Sequence, residues 1–509
     1  MLRQVTAHIA ALRQYLSYTL LFPHYIDIII LYVLIQNCRS VTPRMQFNSN
    51  TFIFFFLPVV LLVHALLKQN RSRNVWLLIV SLLFFSWGSV ESLVFLGIYG
   101  AVNYTAARLI AARPGQKWLL ALAVIVDVAV LFVFKYLNFS LNIVDRLLGT
   151  SFPTVQLFQP MGISFITFTA IAYVVDVYKG IAPAMSSPID FFLYLSLFIK
   201  AGQGPIIRYE KIGPELNDRV CTKADFLAGA QRFVAGFGKK VLIADTLGRT
   251  VDMVFANVYN GISPATAWLG ILFYTFQIYY DFSGYTDMAI GLGRILGFTL
   301  PENFDDPYWS KSVSEFWNRW HITLGKWFKD YIYIPLGGNR KGKLRQIFNL
   351  GVVWMTTGIW HGAAVHYILW GIYYGALVIL EKQIMDKNWY KRIPDAVKWA
   401  ATFLATIFGW IIFRAESLGK IIVYLKAMLG TAGFSVYMYD FAYLFDAPGL
   451  IAFAAAVLLA LPRPKVLQGI TERSNGAYLV LNLALVLVFA VSVVFMVNST
   501  YNSFIYFQF

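Results

Sequence analysis

Six ionisable side chains, Asp281, Asp287, Glu302, Arg319, His321 and His361, interrupt an otherwise apolar stretch running from Gln277 to the segment MTTGIWHGAAVHYILWG. Ionisable groups are costly at membrane depth and usually face a cavity or a partner there, so each is a candidate functional residue. The histidines carry the clearest chemistry. Imidazole near its ordinary pKa is the usual proton acceptor at neutral pH. His321 lies in RWHI and His361 in Gly358-Ile-Trp-His-Gly362. Glycine on both sides of Trp360-His361 would let backbone and substrate approach that ring closely. The bland alternative is a satisfied core histidine. With 6 histidines in the chain and two of them inside this block, the functional interpretation is preferred for His361.

Other site chemistries fit less well. His366 follows His361 by five residues, so the two do not share a helix face, and no H-E-x-x-H or third ligand is present, which argues against zinc. Gly337 with Gly342-Lys343 matches part of a P-loop, but Leu344 stands where Ser or Thr is required. Gly291, Gly293 and Gly297 have the wrong spacing for a dinucleotide fingerprint and suit close helix packing. Asp281 and Asp287 could hold a cation, though pairing with Arg294 or Arg319 is the expected role. No Gly-x-Ser-x-Gly elbow occurs.

The elements that must position these residues are membrane helices. Hydrophobic residues make up 58% of the 509-residue chain and charged residues 13%, against about 25% charge in soluble domains. Apolar runs recur near the ~20 residues needed to cross a bilayer, and the short alternating segments of a barrel are absent. Spans are expected at 51–67, 75–88, 91–111, 118–137, 155–177, 190–202, 227–246, 264–281, 346–364, 366–381, 396–413, 444–461 and 478–498. The fold class is therefore all-α and polytopic, with roughly 11–14 transmembrane or re-entrant helices around a central funnel or tunnel. Pro205, Pro301, Pro307, Pro335 and Gly337-Gly338 punctuate the middle. Irregular backbone at membrane depth must be buried or line a wet cavity, so 200–215 and 300–345 are expected to surround the funnel.

Residues 312–334 read as one helix with a Ser312/Glu315 capping box, a Glu315–Arg319 pair, an aromatic surface and His321 at its middle. The net charge of +16 is gathered in short basic loops at 68–73, 108–117, 340–345, 382–392 and 463–473. That distribution fits the positive-inside rule and anionic lipid, not nucleic acid. It puts those loops in the cytoplasm and the 139–154 loop and C-terminus on the far side. Cys38 and Cys221 make no disulfide framework. Residues 1–44 form an N-terminal extension, either an extra helix or a product of a misplaced start, with Met45 reading as the natural beginning of a domain at 45–509 whose catalytic core spans about 198–366.

FIKAGQGPIIRY at 198–209, QIYYDFSGYTDMAIGLGRILGF at 277–298, ENF at 302–304, SVSEFWNRWHITLGKWFKDYIYIPLGGNR at 312–340, GIWHGA at 358–363 and the terminal FIYFQF together resemble the membrane-bound O-acyltransferase family, and within it the bacterial alginate O-acetyltransferase branch. Ile199 departs from the proline common before Lys200 in that family. The resemblance implies a bacterial inner-membrane, multi-pass enzyme in which His361 is catalytic and His321 a second essential histidine. Asp287, Asn318 and Arg319 would orient them. Trp320, Trp360, Gln203, Arg208, Asp281, Glu302 and Asn303 fall in the matching motifs as substrate-positioning candidates. It further implies no bound cofactor, an acetyl-CoA or acyl-carrier thioester as co-substrate, a polysaccharide acceptor and an extracytoplasmic SGNH-type acetyltransferase partner. D-alanyl transfer to teichoic acid and, in another class, a proton-coupled transporter are the alternatives.

Overall fold

The computed structural model describes residues 45–87, 89–432, 444–462, 474–499 and 501. The expectations for 1–44, the 463–473 loop and the terminal FIYFQF lie outside the described residues. Among those described, the secondary structure is helical apart from one isolated antiparallel bridge between Phe304 and Trp320.

The helices follow in chain order as α1 (Phe52–Leu66), α2 (Asn70–Ser86), α3 (Glu91–Ala112), α4 (Lys117–Lys135), α5 (Leu137–Leu148), α6 (Ile163–Tyr178), α7 (Pro188–Ser196), α8 (Tyr209–Asn217), α9 (Lys223–Gly238) and α10 (Asp245–Ala256). They continue as α11 (Pro264–Ile295), α12 (Val313–Arg319), α13 (Ile322–Phe328), α14 (Lys343–His361), α15 (Val365–Ile384), α16 (Asp395–Arg414), α17 (Leu418–Met428), α18 (Ala447–Leu459) and α19 (Asn475–Asn498). Among the described residues four stretches, Glu91–Ala112, Lys117–Leu148, Asp395–Arg414 and Asn475–Asn498, are long and apolar enough to cross a membrane by length and composition. Seven helix starts are legible locally: Ser187, Thr222, Ser263, Ser312, Ser417, Asp446 and Ser474 each accept a first-turn backbone N–H, which satisfies donors the helix cannot pair itself.

α11 is the axis of the body. Its 32 residues make a rod of roughly 48 Å at 1.5 Å per residue, and most of it is buried. Phe273, Tyr274 and Tyr280 join one hydrophobic core, while Tyr285, Met288 and Leu292 join another. α9 lies against α11 through paired glycines. A Cβ on Gly284 would stand 2.8 Å from Gly236 O, and one on Gly291 would stand 2.5 Å from Gly229 O, so the glycine run serves helix contact as expected.

Several expected boundaries move. The 155–177 span begins only at Ile163, after a Pro160–Gly162 turn, and 190–202 is reduced to α7 followed by a 3-10 turn at Phe198–Lys200. The 227–246 span continues through a π turn at Lys239–Ala244 into α10, and the 264–281 span runs on to Ile295. The expected single helix over 312–334 is broken at Trp320–His321, and its C-terminal part is a π turn at Lys329–Tyr333. The apolar pattern was right there, but His321 takes φ +48°, which no α-helix can contain.

Candidate active site

The break at His321 is built by the segment from Glu302 to Asp305. Ile322 N donates to Asn303 O at 3.0 Å and Asp305 N donates to Arg319 O at 3.0 Å, flanking the Phe304–Trp320 bridge. These bonds hold the backbone of RWHI against ENF. They also support the left-handed conformation of His321, which costs a non-glycine residue about 1–3 kcal/mol. Glu381 of α15 secures the other end of α12, its carboxylate accepting from Val313 N at 2.9 Å and Ser314 N at 2.8 Å. A carboxylate at a helix N-terminus is favoured by the dipole.

The imidazole of His321 has a defined tautomer. Its Nδ1 lies 3.2 Å from Asn303 Oδ1. Thr323 N and Thr323 Oγ1 donate to the same oxygen at 3.1 and 2.9 Å. The backbone N–H of Thr323 can only donate, so the Asn303 atom facing it must be the carbonyl oxygen. That oxygen can only accept, so His321 Nδ1 carries the proton and Nε2 presents its lone pair. Nε2 has no hydrogen-bond partner among the described residues. Phe282 of α11 packs edge-on against the ring at 4.7 Å.

His321 forms part of the wall of a cavity of about 440 Å³ together with Asn318, Trp320, Trp354 and Thr357. This size is in the range of small-molecule sites, about 300–1,000 Å³. Lys326, Lys329 and Lys382 also line it, the first two exposed and the third half-buried. The lining thus combines aromatic and apolar side chains with three lysines.

His361 is the last residue of α14 and is buried. The Trp360 ring stands 6.2 Å from the His321 ring and 4.8 Å from that of His361. Trp370 at 4.8 Å and Phe413 at 5.2 Å close round His361. The two histidines expected to act together therefore share one indole as a neighbour. The neighbouring glycines play a different part from the one expected. Cβ atoms on Gly358 and Gly362 would meet Tyr367 O at 2.5 Å and the Tyr367 ring at 2.3 Å, so these positions let α14 and α15 touch and do not open room for substrate.

The remaining candidates fall into two groups. Asn303, Trp320, Trp360 and Asn318 belong to the histidine neighbourhood or the cavity wall. Gln203 is buried beside Gly202, whose N–H donates to Tyr285 OH at 3.2 Å, and Arg208 pairs with Asp330. The acidic candidates and Arg319 are placed elsewhere. Asp281 pairs with Lys240 at 2.7 Å, and the same ammonium reaches Asp245 at 2.6 Å. Asp287 pairs with Arg232 at 2.9 Å and Lys239 at 2.6 Å, while Arg232 also holds Glu302 at 2.5 Å. Arg319 pairs with Glu315 at 2.8 Å, as its spacing predicts.

The expected partnership of either aspartate with Arg294 or Arg319 is thus replaced by α9 and the π turn after it; Arg294 instead pairs with Asp225 at 3.1 Å. Asn303, not Asp287 or Arg319, sets the ring of His321. Sequence reasoning missed Arg232, Lys239, Lys240, Thr323 and Glu381. Lys239 and Lys240 carried a visible signal, being cations inside an apolar run. Among the described residues no group of three or more His, Cys, Asp or Glu could hold a metal ion.

Residues 181–418 match the family model of the membrane-bound O-acyltransferases. The chain is 43% identical over 383 residues to the probable alginate O-acetylase of Pseudomonas syringae pv. tomato, covering 74% of this chain and 73% of that protein. It is 33% identical over 427 residues to the peptidoglycan O-acetyltransferase of Helicobacter pylori, covering 77% and 81%. With the teichoic acid D-alanyltransferase of Bacillus subtilis it shares 27% identity over 397 residues, covering 72% and 98%.

Proposed function

The chain belongs to the membrane-bound O-acyltransferase family, and from that premise we propose that it moves acetyl groups from a thioester donor to hydroxyls of an exported polysaccharide of the alginate type. It is a membrane acyltransferase. The acetyl specificity, the glycan and the route across the membrane are what is proposed. The observation that carries it is His321, which lines a cavity of about 440 Å³, with Nδ1 committed to Asn303 and Nε2 left without a hydrogen-bond partner among the described residues.

A lone pair held in that position can take the proton of an attacking hydroxyl. The oxygen then adds to the thioester carbonyl, the C–S bond breaks, and the proton leaves with the thiolate as thiol. His321 is proposed for the proton acceptance that the resemblance implied for His361. His361 is proposed to share that proton. Lys326, Lys329 and Lys382 suit the phosphates of acetyl-CoA or of a carrier-bound phosphopantetheine entering from the cytoplasm. The acceptor would arrive from the other face, with an extracytoplasmic SGNH-type acetyltransferase taking the acetyl group onward. A multi-pass arrangement in the inner membrane accompanies this proposal.

The test is His321→Ala and His361→Ala, compared for acetyl transfer per molecule in the membrane. General base catalysis contributes about 10²–10⁴-fold, so His321→Ala should lose that much at unchanged abundance. Transfer retained in that variant removes its lone pair from the mechanism. A D-alanyl thioester tested beside acetyl-CoA separates the teichoic acid alternative. The transporter alternative is less well supported, since Asp281 and Asp287 are both in ion pairs. Solute uptake by reconstituted vesicles without any acyl donor would revive it.

A further inference from the structure

An α-helix leaves its last four carbonyls without partners inside the helix, and α14 ends in a buried place, on His361 itself. Its final carbonyls are taken up by two consecutive residues from the end of α4. Tyr136 donates its hydroxyl to Ile359 O at 3.0 Å and lies 3.4 Å from Trp360 O. Lys135 Nζ donates to Trp360 O at 2.6 Å and to Ser164 Oγ of α6 at 3.1 Å. The Ile359 carbonyl also accepts from Gly362 N at 3.2 Å. One ammonium therefore ties α4, α6 and the C-terminus of α14 together, at the helix end where the dipole favours a cation.

The same turn is held by ring contacts as well. The Trp360 indole stacks on Phe168 of α6, with centroids 5.3 Å apart and planes 18° apart, and meets Phe165 edge-on at 6.0 Å. With its carbonyl on Lys135 and its ring on Phe168, Trp360 has little freedom. It is also a ring that neighbours both histidines, and His361 is the next residue. Placing a lysine in apolar surroundings is costly, and a neutral donor could satisfy a carbonyl as well. A lysine nevertheless stands where the histidine is held.

We propose that Lys135, assisted by Tyr136, is a positioning residue for acyl transfer: its ammonium fixes the last turn of α14 and so the placement of the His361 ring relative to His321. This inference rests on the acyltransferase function proposed above. Neither residue lies in the polar block that carries the chemistry, and neither touches the cavity wall described above.

The experiment compares the full chain with Lys135→Met, Lys135→Arg and Tyr136→Phe in lipid nanodiscs, with acetyl-CoA as donor. Two quantities are read: kcat and KM for the donor, and deuterium uptake across 355–364 against 343–352. A displacement of about 1 Å at a reacting group costs roughly a hundredfold. Lys135→Met should therefore lower kcat by about that factor with KM within about twofold, and raise uptake at 355–364 alone. Lys135→Arg should recover most of the loss, since it keeps a cation and several donors.

Three results overturn the proposal. The first is kcat in Lys135→Met within about threefold of the parent. The second is a loss accompanied by equally raised uptake throughout α4, α6 and α14, which would make the role structural. The third is no recovery in Lys135→Arg. If Lys135→Met does not accumulate, Tyr136→Phe decides, with a kcat loss of about three- to tenfold expected and an unchanged kcat overturning it. A parent protein inactive with every thioester refutes the acyltransferase function, while the uptake comparison still tests whether Lys135 holds the turn.

Discussion

Replacing Asn303 by alanine tests the orientation of His321 directly. Asn303 Oδ1 receives His321 Nδ1, Thr323 N and Thr323 Oγ1 within 3.2 Å, and all three residues are buried. Each buried donor left without an acceptor costs about 1–3 kcal/mol. The vacated volume adjoins polar groups able to hold a water, so the net local cost is about 2–4 kcal/mol. Activity should suffer for a separate reason. Without an acceptor at Nδ1 the ring can place its proton on Nε2 or turn away, and loss of such an orienting partner typically costs about 10–100-fold. That is about 1.4–2.7 kcal/mol in the barrier.

The assay is thiol release from acetyl-CoA by the purified protein, normalised to folded protein and repeated with Thr323→Val. The valine variant removes a donor to Asn303 and the acceptor of Ile206 N, but leaves the bond between Asn303 and the imidazole. It should lose no more than about fivefold. A kcat for Asn303→Ala within about threefold of the parent, or equal losses in the two variants, would refute the claim that Asn303 acts through the tautomer.

Three further outcomes follow from the packing and charges. Lys240→Met removes the ammonium shared by buried Asp281 and Asp245 and should cost about 3–5 kcal/mol, read as lost membrane abundance or lowered Tm; Lys240→Met with Asp281→Leu should recover part of it, and no recovery would mean that the charge of Asp281 is not what suffers. Gly371→Ala puts a Cβ 2.5 Å from Trp354 O and should separate α14 from α15, lowering Tm and kcat together, whereas an unchanged Tm would show that the contact is not tight. Lys326→Glu with Lys382→Glu should raise KM for acetyl-CoA by about tenfold or more at low salt, and the effect should shrink as ionic strength rises because exposed charges are screened beyond about 10 Å at 0.1 M; an unchanged KM would place the donor's phosphates elsewhere.

The helices were legible because the bilayer imposes a length and a composition that a one-dimensional reading can measure. α3, α14, α15, α16 and α19 lie close to their expected bounds. What escaped that reading was backbone whose conformation is decided from outside its own segment. Residues 312–334 have a helical pattern with a correct Ser312 cap, yet the helix breaks at His321. The bonds that favour the break, Ile322 N to Asn303 O and Asp305 N to Arg319 O, come from a neighbouring segment. Propensity and periodicity contain no term for them.

The charges illustrate the same limit in a different form. The cost of an ionisable group at membrane depth singled out Asp281, Asp287, Glu302, His321 and His361 without distinction, because that cost depends on burial and not on use. What separates them is the partner. Asp281 and Asp287 meet ammonium and guanidinium groups supplied by α9 and the π turn beyond it, and a paired carboxylate is a poor proton acceptor for a substrate. His321 instead meets a neutral amide oxygen on one nitrogen, the other has no partner among the described residues, and the residue lines a cavity. Thr323→Val and Asn303→Ala change that amide oxygen's surroundings in different ways, and so ask whether the neutral partner, more than the depth of burial, makes this imidazole the reactive one.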